Sequence, residues 1–190
     1  MSDTEDAQLR AEALESILVE QGLLTHAQVD EVIVRYNERV GPMNGARVVA
    51  RAWVDPDFKA SLLRDAASAI EPFEFDGGQV DKLVVVENTE AVHNVVVCTL
   101  CSCYPWALLG LPPKWYKDAP YRSRVVREPR AVLQEFGVTL APSRKVQVWD
   151  SSAEVRYMVL PMRPQDTAGL TEEALAERVS RDAMIGVAEL

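Results

Sequence analysis

The chain has 190 residues, with 20 Lys and Arg against 29 Asp and Glu, a formal net charge of −9. That length suits one compact domain, or one domain with an extended arm. An acidic surface repels phosphate backbones and anionic lipid, so nucleic acid and membrane surfaces are excluded as default partners. With 48% apolar and 26% charged residues the composition is that of an ordinary globular protein, not a disordered one. No apolar run approaches the ~20 residues of a membrane span, and the acidic N-terminal stretch lacks the basic start of a signal peptide. The expected compartment is therefore cytoplasmic.

The first third reads as helix. From about Glu5 to Gln21, the residues Leu9, Leu14, Ile17, Leu18 and Val19 recur at mostly helical spacing, and Gly22 supplies a stop. Thr25 stands three residues before Gln28, a capping-box pattern that starts a second helix carrying Val29, Val32, Ile33 and Tyr36. A third helix is expected over Gly45–Val54. A fourth begins near Pro56, a residue suited to the first turn, and runs to about Ile70. The first two helices either pack on their own domain or form an arm that embraces another subunit.

Glu74 to Gly78 is a loop signal, after which the pattern changes. Lys82–Val86 and Asn94–Val97 are β-branched runs separated by the polar turn Asn88-Thr89-Glu90. Pro105, Gly110, Pro112 and Pro113 then break up an aromatic-rich loop or short helix that holds Trp106, Trp115 and Tyr116. Glu128–Phe136 reads as a helix stopped by Gly137. Val146–Trp149 and Val155–Leu160 read as two more strands, and a last helix starts near Thr171, with Glu172 and Glu173 in its first turn. Strands mixed with segregated helices predict an α+β fold rather than regular βαβ alternation.

All three cysteines, Cys98, Cys101 and Cys103, fall within six residues, and an odd count argues against a disulfide framework. Cys101 and Cys103 flank a single residue, which places the backbone nitrogens of Ser102 and Cys103 between the two sulfurs. If those amides lose their protons, two sulfurs and two nitrogens make a near-planar set closed by five- and six-membered chelate rings. Cys98 then supplies an axial ligand and leaves the opposite position open. Such a strong-field, square-based site suits Fe(III) or Co(III) acting as a Lewis acid. Tetrahedral zinc would need a fourth ligand such as His93. A redox site would use Cys98 and Cys101 and leave Cys103 unexplained, and three unmetallated structural thiols are the remaining reading.

The run from Val97 to Trp106 resembles the metal-binding motif of the nitrile hydratase α subunit. Glu87–Thr89, Leu109–Pro113, Tyr121–Arg130, Trp149–Ser152, Met184–Val187 and the helical start with Glu20–Gly22 and Val40–Pro42 are similar too, so the likeness spans nearly the whole chain. Thr99 and Tyr104 match the cobalt branch, where the iron branch carries serine and threonine.

The resemblance implies a helical arm over 1–44 contacting the partner subunit, followed by a layered α/β/β/α catalytic domain over 45–190. It implies one Co(III) per chain, with Fe(III) less favoured, held by Cys98, Cys101, Cys103 and the amides of Ser102 and Cys103. Cys101 would be a sulfinate and Cys103 a sulfenate. The reaction is hydration of a nitrile to an amide, with Cys103, Ser102 and Cys101 at the reacting centre. The Cys103 oxygen, or a water it activates, attacks the nitrile carbon. Gln79 matches a pocket glutamine, although a solvated loop residue is the plain alternative. Asp150, Glu154 and Arg156 match a hydrogen-bond network reaching the metal loop; 154 and 156 share a face of a strand, and a surface ion pair is the alternative. Trp106 lines the substrate entrance or packs. The implied partners are the nitrile hydratase β subunit, with two arginines for the anionic sulfurs, and a small-molecule nitrile. A thiocyanate hydrolase-type subunit and a non-catalytic metal-binding or interaction subunit are the competing functions.

Overall fold

Helix α1 (Asp3–Glu20) is closed by Gly22 in a left-handed conformation, and helix α2 (His26–Glu38) follows within a few residues. The expected capping box forms: Thr25 Oγ1 accepts from the Gln28 amide at 3.3 Å, and Gln28 Oε1 accepts from the Thr25 amide at 2.8 Å. Glu15 and His26 meet at 2.7 Å between the two helices. These helices make up one unit, Met1–Glu38, and Arg39–Leu190 makes up a second. The structure, a computed structural model, describes residues 3–76 and 82–190. The division falls earlier than the boundary at 44 expected from the sequence, because the next helix starts at Pro42 and already buries Asn44.

In the second unit, helix α3 (Pro42–Val54) is buried along one face from Asn44 to Ala52. The Asn44 side chain donates through Nδ2 to the carbonyls of Arg39 and Ala107, at 2.8 Å each. Helix α4 (Pro56–Arg64) is capped by Asp55, whose carboxylate accepts from the Asp57 and Phe58 amides at 3.0 and 2.9 Å. The single helix expected from Pro56 to Ile70 is broken at Asp65. That residue leaves the helical conformation and caps α5 (Ala66–Ile70) through the Ser68 amide and hydroxyl. Aspartate competes with the helical backbone in an interior and favours a cap.

Four strands follow close to the expected positions: β1 (Leu83–Glu87), β2 (Val92–Val97), β3 (Lys145–Asp150) and β4 (Arg156–Leu160). β1 pairs in parallel with β4, and β2 in parallel with β3, so that Val97 lies opposite Asp150. Parallel pairing requires long crossovers. The β2–β3 crossover carries the cysteines, then α6 (Trp106–Leu109), α7 (Lys114–Lys117), α8 (Ala119–Arg127) and α9 (Pro129–Glu135). The chain closes with α10 (Glu172–Ala176) and α11 (Arg181–Ile185), where the sequence suggested a single helix.

The layering is the expected α/β/β/α. Helices α4 and α5 pack on β1, β4 packs on β2, and α9 packs on β3. β2 is buried from His93 to Val97, as suits a strand covered on both faces. Helix α11 lies against β2, β4 and α3. Its closing residue, Gly186, has φ 92°, and a Cβ there would sit 2.0 Å from the Asn94 carbonyl oxygen. No described helix is long and apolar enough to cross a membrane.

Candidate metal centre

The parallel register of β2 and β3 brings two strand ends together, and the cysteine loop leaves from one of them. Cys98, the residue after β2, is fully buried; Cys101 is exposed and Cys103 is half-buried. Asp150 ends β3, and its carboxylate accepts from the Thr99 amide at 2.9 Å and the Thr99 hydroxyl at 2.6 Å. The Cys101 amide donates to the Cys98 sulfur at 3.2 Å, which curls the loop back over the buried thiol. Arg122 of α8 brings its guanidinium to 3.5 and 3.4 Å from the carbonyls of Thr99 and Cys101.

The three sulfurs converge. Cys98 and Cys101 are 3.4 Å apart, and Cys101 and Cys103 are 3.2 Å apart. All three lie within 4.8 Å of one another, the only such grouping of His, Cys, Asp or Glu ligand atoms among the described residues. These spacings discriminate between coordination types. At the ~2.3 Å length of a metal–thiolate bond, tetrahedral positions hold sulfurs about 3.8 Å apart, and right-angled positions about 3.3 Å. The Cys98–Cys101 and Cys101–Cys103 spacings lie nearer the right-angled value.

Electrostatics separate the thiols. Cys101 is drawn down to about 7, first by hydrogen bonding with the Cys103 and Cys98 thiols and then by the backbone amides of Ser102 and Cys103. Cys103 is pushed up to about 12, mainly by burial, with the Cys101 contact and the Cys98 charge adding and Arg156 opposing. The two amides thus face the Cys101 sulfur, and neither takes part in a backbone–backbone hydrogen bond among the described residues. A metal bound here would meet three soft sulfurs with the amides of Ser102 and Cys103 beside Cys101, a donor set that fits a thiophilic transition ion.

His93 supplies no fourth ligand for zinc. It is buried within β2, its Nε2 is 2.8 Å from the Gly186 carbonyl, and it lies outside the sulfur grouping. The other expected residues are dispersed. Ser102 is half-buried inside the loop, and Trp106 is half-buried at the start of α6. Arg156 opens β4, donates to the Ser152 carbonyl and acts electrostatically on Cys103. Glu154 does not share a strand face with Arg156 as expected. It is exposed in the turn before β4, where its amide donates to Ser152 Oγ, because the Ser152–Val155 turn delays the strand. Gln79 lies outside the described residues.

Three residues that sequence reasoning had not assigned to the site prove to touch it or support it: Arg122, Tyr116 and Ser151. The Tyr116 hydroxyl donates to the Cys103 carbonyl at 3.1 Å, and the Ser151 amide donates to the Val97 carbonyl at 2.7 Å. Nothing in their spacing marks them; the crossover brings Arg122 and Tyr116 to the loop, and the β2–β3 register brings Ser151.

A thiol loop with inward amides, set at the carboxyl ends of two parallel strands in a layered α+β fold, defines a metal-binding subunit with its site on a crossover. The family described as nitrile hydratase, alpha chain, matches residues 5–188. The low-molecular weight cobalt-containing nitrile hydratase subunit alpha of Rhodococcus rhodochrous is 55% identical over 183 residues, covering 96% of this chain and 88% of that protein. The gamma subunit of thiocyanate hydrolase from Thiobacillus thioparus is 40% identical over 200 residues, covering 99% of this chain and 82% of that protein. Among solved structures, a double mutant of the Fe-type nitrile hydratase from Comamonas testosteroni Ni1 superposes with a TM-score of 0.91 at 42% identity, covering 100% of this chain and 92% of that one. The chain belongs to the nitrile hydratase alpha chain family, enzymes that convert nitriles to amides.

Proposed function

We propose that this chain is the α subunit of a cobalt nitrile hydratase. It would hold one Co(III) through Cys98, Cys101 and Cys103 and the deprotonated amides of Ser102 and Cys103, with Cys101 as sulfinate and Cys103 as sulfenate. The observation that carries this reading is the 3.2 and 3.4 Å sulfur spacing. Thr99 and Tyr104, the residue types of the cobalt branch, and the cobalt-containing relative support cobalt over iron.

When bound, the trivalent ion supplies Lewis acidity that makes a nitrile carbon electrophilic. The chain's residues do the rest. Cys103 carries the oxygen that attacks the carbon or takes a proton from the attacking water, and Ser102 offers a hydroxyl to the oxidised sulfurs. Asp150 anchors the loop through Thr99, and Arg122 and Arg156 bring cationic charge to an anionic cluster. Gln79, Glu154 and Trp106 are assigned to the pocket and its hydrogen-bond surroundings. Nitrile plus water gives amide, with no net redox change.

The site opens outward. Leu100 is 89% exposed at the loop tip, and Leu111 and Val126 are exposed as well. In the helical unit Leu9, Leu14, Ile17, Val32 and Ile33 are exposed. Exposed apolar side chains on each unit suit a protein partner, which we assign to the β subunit, with the helical arm as one contact. Free thiols without a disulfide suit a cytoplasmic enzyme.

Co-expression with a β subunit in cobalt medium tests the reading. One cobalt per chain, added oxygen on the tryptic peptide 83–114 and amide formation from a nitrile are the expected results. The thiocyanate hydrolase relative makes a second substrate test necessary: carbonyl sulfide from thiocyanate, without amide from nitriles, would move the assignment to that activity.

A further inference from the structure

Tyr116 is fully buried, 13 residues beyond Cys103, and its ring is wedged edge-on against Tyr104 and Trp115, with centroids 5.1 and 6.0 Å away. A backbone carbonyl only accepts, so the phenol must donate to Cys103. Ser151 stands beside the same phenol, and its Oγ accepts from the Tyr157 amide of β4 at 3.2 Å. The Tyr116 bond ends on the carbonyl of the residue that offers both a sulfur and an amide nitrogen, and the ring packing of α7 holds the phenol in place.

We infer that Tyr116 is a positioning residue for the metal loop, fixing the Cys103 main chain and hence its sulfur and amide through the 3.1 Å bond from its phenol, with Ser151 as a neighbour that helps seat the ring. The inference rests on the reading of this loop as a cobalt site. It adds a hold from α7 at Cys103, where Asp150 holds the loop at Thr99, so the loop is fastened near both ends. Removal of the phenol oxygen leaves a carbonyl without its partner and lets Cys103 rotate, without altering any ligand atom.

The test uses the co-expressed complex with Tyr116→Phe and, separately, Ser151→Ala. Co(II) affinity of the metal-free complex is measured by titration on the sulfur-to-cobalt charge-transfer band, beside kcat per bound cobalt and thermal unfolding. The expected result for Tyr116→Phe is a displaced band, weaker Co(II) binding and a fall in kcat per cobalt of about tenfold, with KM little changed. Ser151→Ala should move the band and the affinity in the same direction by less. If Tyr116→Phe does not assemble, Ser151→Ala decides by itself. A lowered melting temperature with band, affinity and kcat per cobalt all unchanged overturns the inference and leaves Tyr116 as packing. A wild-type complex that binds Co(II) but forms no amide defeats the functional reading instead, and the affinity comparison still judges the hold at Cys103.

Discussion

Asp150 and Thr99 are 51 residues apart, yet one carboxylate receives both the amide and the hydroxyl of the threonine, at 2.9 and 2.6 Å. The register of β2 against β3 makes this pairing inevitable, because Val97 and Asp150 are partners at the ends of their strands. The first turn of the metal loop is therefore fastened to a neighbouring strand before any metal arrives.

Replacing Asp150 with Ala removes both acceptors. The loop should lose preorganisation, and cobalt per chain, measured by elemental analysis, should fall severalfold. Asp150→Asn keeps one acceptor oxygen and should lie between. Thr99→Val, which deletes only the hydroxyl, should be milder than Asp150→Ala, because each charge-assisted bond contributes on the order of 1–3 kcal/mol. Equal cobalt content in all three would show that the anchor is dispensable.

Cys103→Ala deletes one sulfur of the grouping and leaves the strands untouched. Far-ultraviolet circular dichroism should match the parent while cobalt content and amide formation vanish. Full turnover in this variant would mean that the donor set assigned above is wrong.

His93 sets a pH dependence of stability. Burial lowers its pKa below the ordinary 6.5, opposed by the Gly186 carbonyl, with Arg144 lowering it further and Glu189 raising it. The unfolded chain then takes up a proton at a higher pH than the folded one. The contribution of neutral His93 is complete above about pH 6.5 and is lost as pH falls through the lower, folded value. Melting temperature should decline on acidification across that window, and His93→Gln should flatten the His93 share of the decline.

Gly186→Ala meets two obstacles at once, a φ of 92° and a Cβ position 2.0 Å from the Asn94 carbonyl oxygen. The closing turn would have to lift off β2 and give up the His93 bond. A loss of about 3 kcal/mol or more in urea unfolding is expected, against a smaller loss of about 1–2 kcal/mol, from the backbone alone, for alanine at Gly137, where φ is 87° but nothing lies within 4 Å.

Deleting residues 1–38 removes one whole unit. The remaining chain should unfold at nearly the parent temperature but co-purify poorly with the β subunit. Equal recovery of the partner would argue against the arm.

Much of the fold was legible because its signals are local. The β-branched runs at Val84–Val86 and Val95–Val97 became strands, and the Thr25–Gln28 pattern became the cap it resembles. The break at Asp65 was hidden because apolar spacing continues across it. Helix α8 was missed because only Tyr121 and Val125 turn inward, while arginines fill the rest. The metal loop was readable from three cysteines in six residues. Of its supports, Asp150 was named only through the family resemblance, and Arg122, Tyr116 and Ser151 were not named at all, because they meet the loop only where the parallel pairing and its crossover bring them together. Glu154 was misplaced for a related reason, since a strand start depends on its partner's register and not on its own letters.

X-ray absorption at the metal of the co-expressed complex, with elemental analysis, tests the central claim most directly. The account predicts one cobalt per chain surrounded by the three loop sulfurs together with light nitrogen neighbours from the Ser102 and Cys103 amides. A tetrahedral ion with sulfur and imidazole neighbours, or a fully active complex without cobalt, would contradict it.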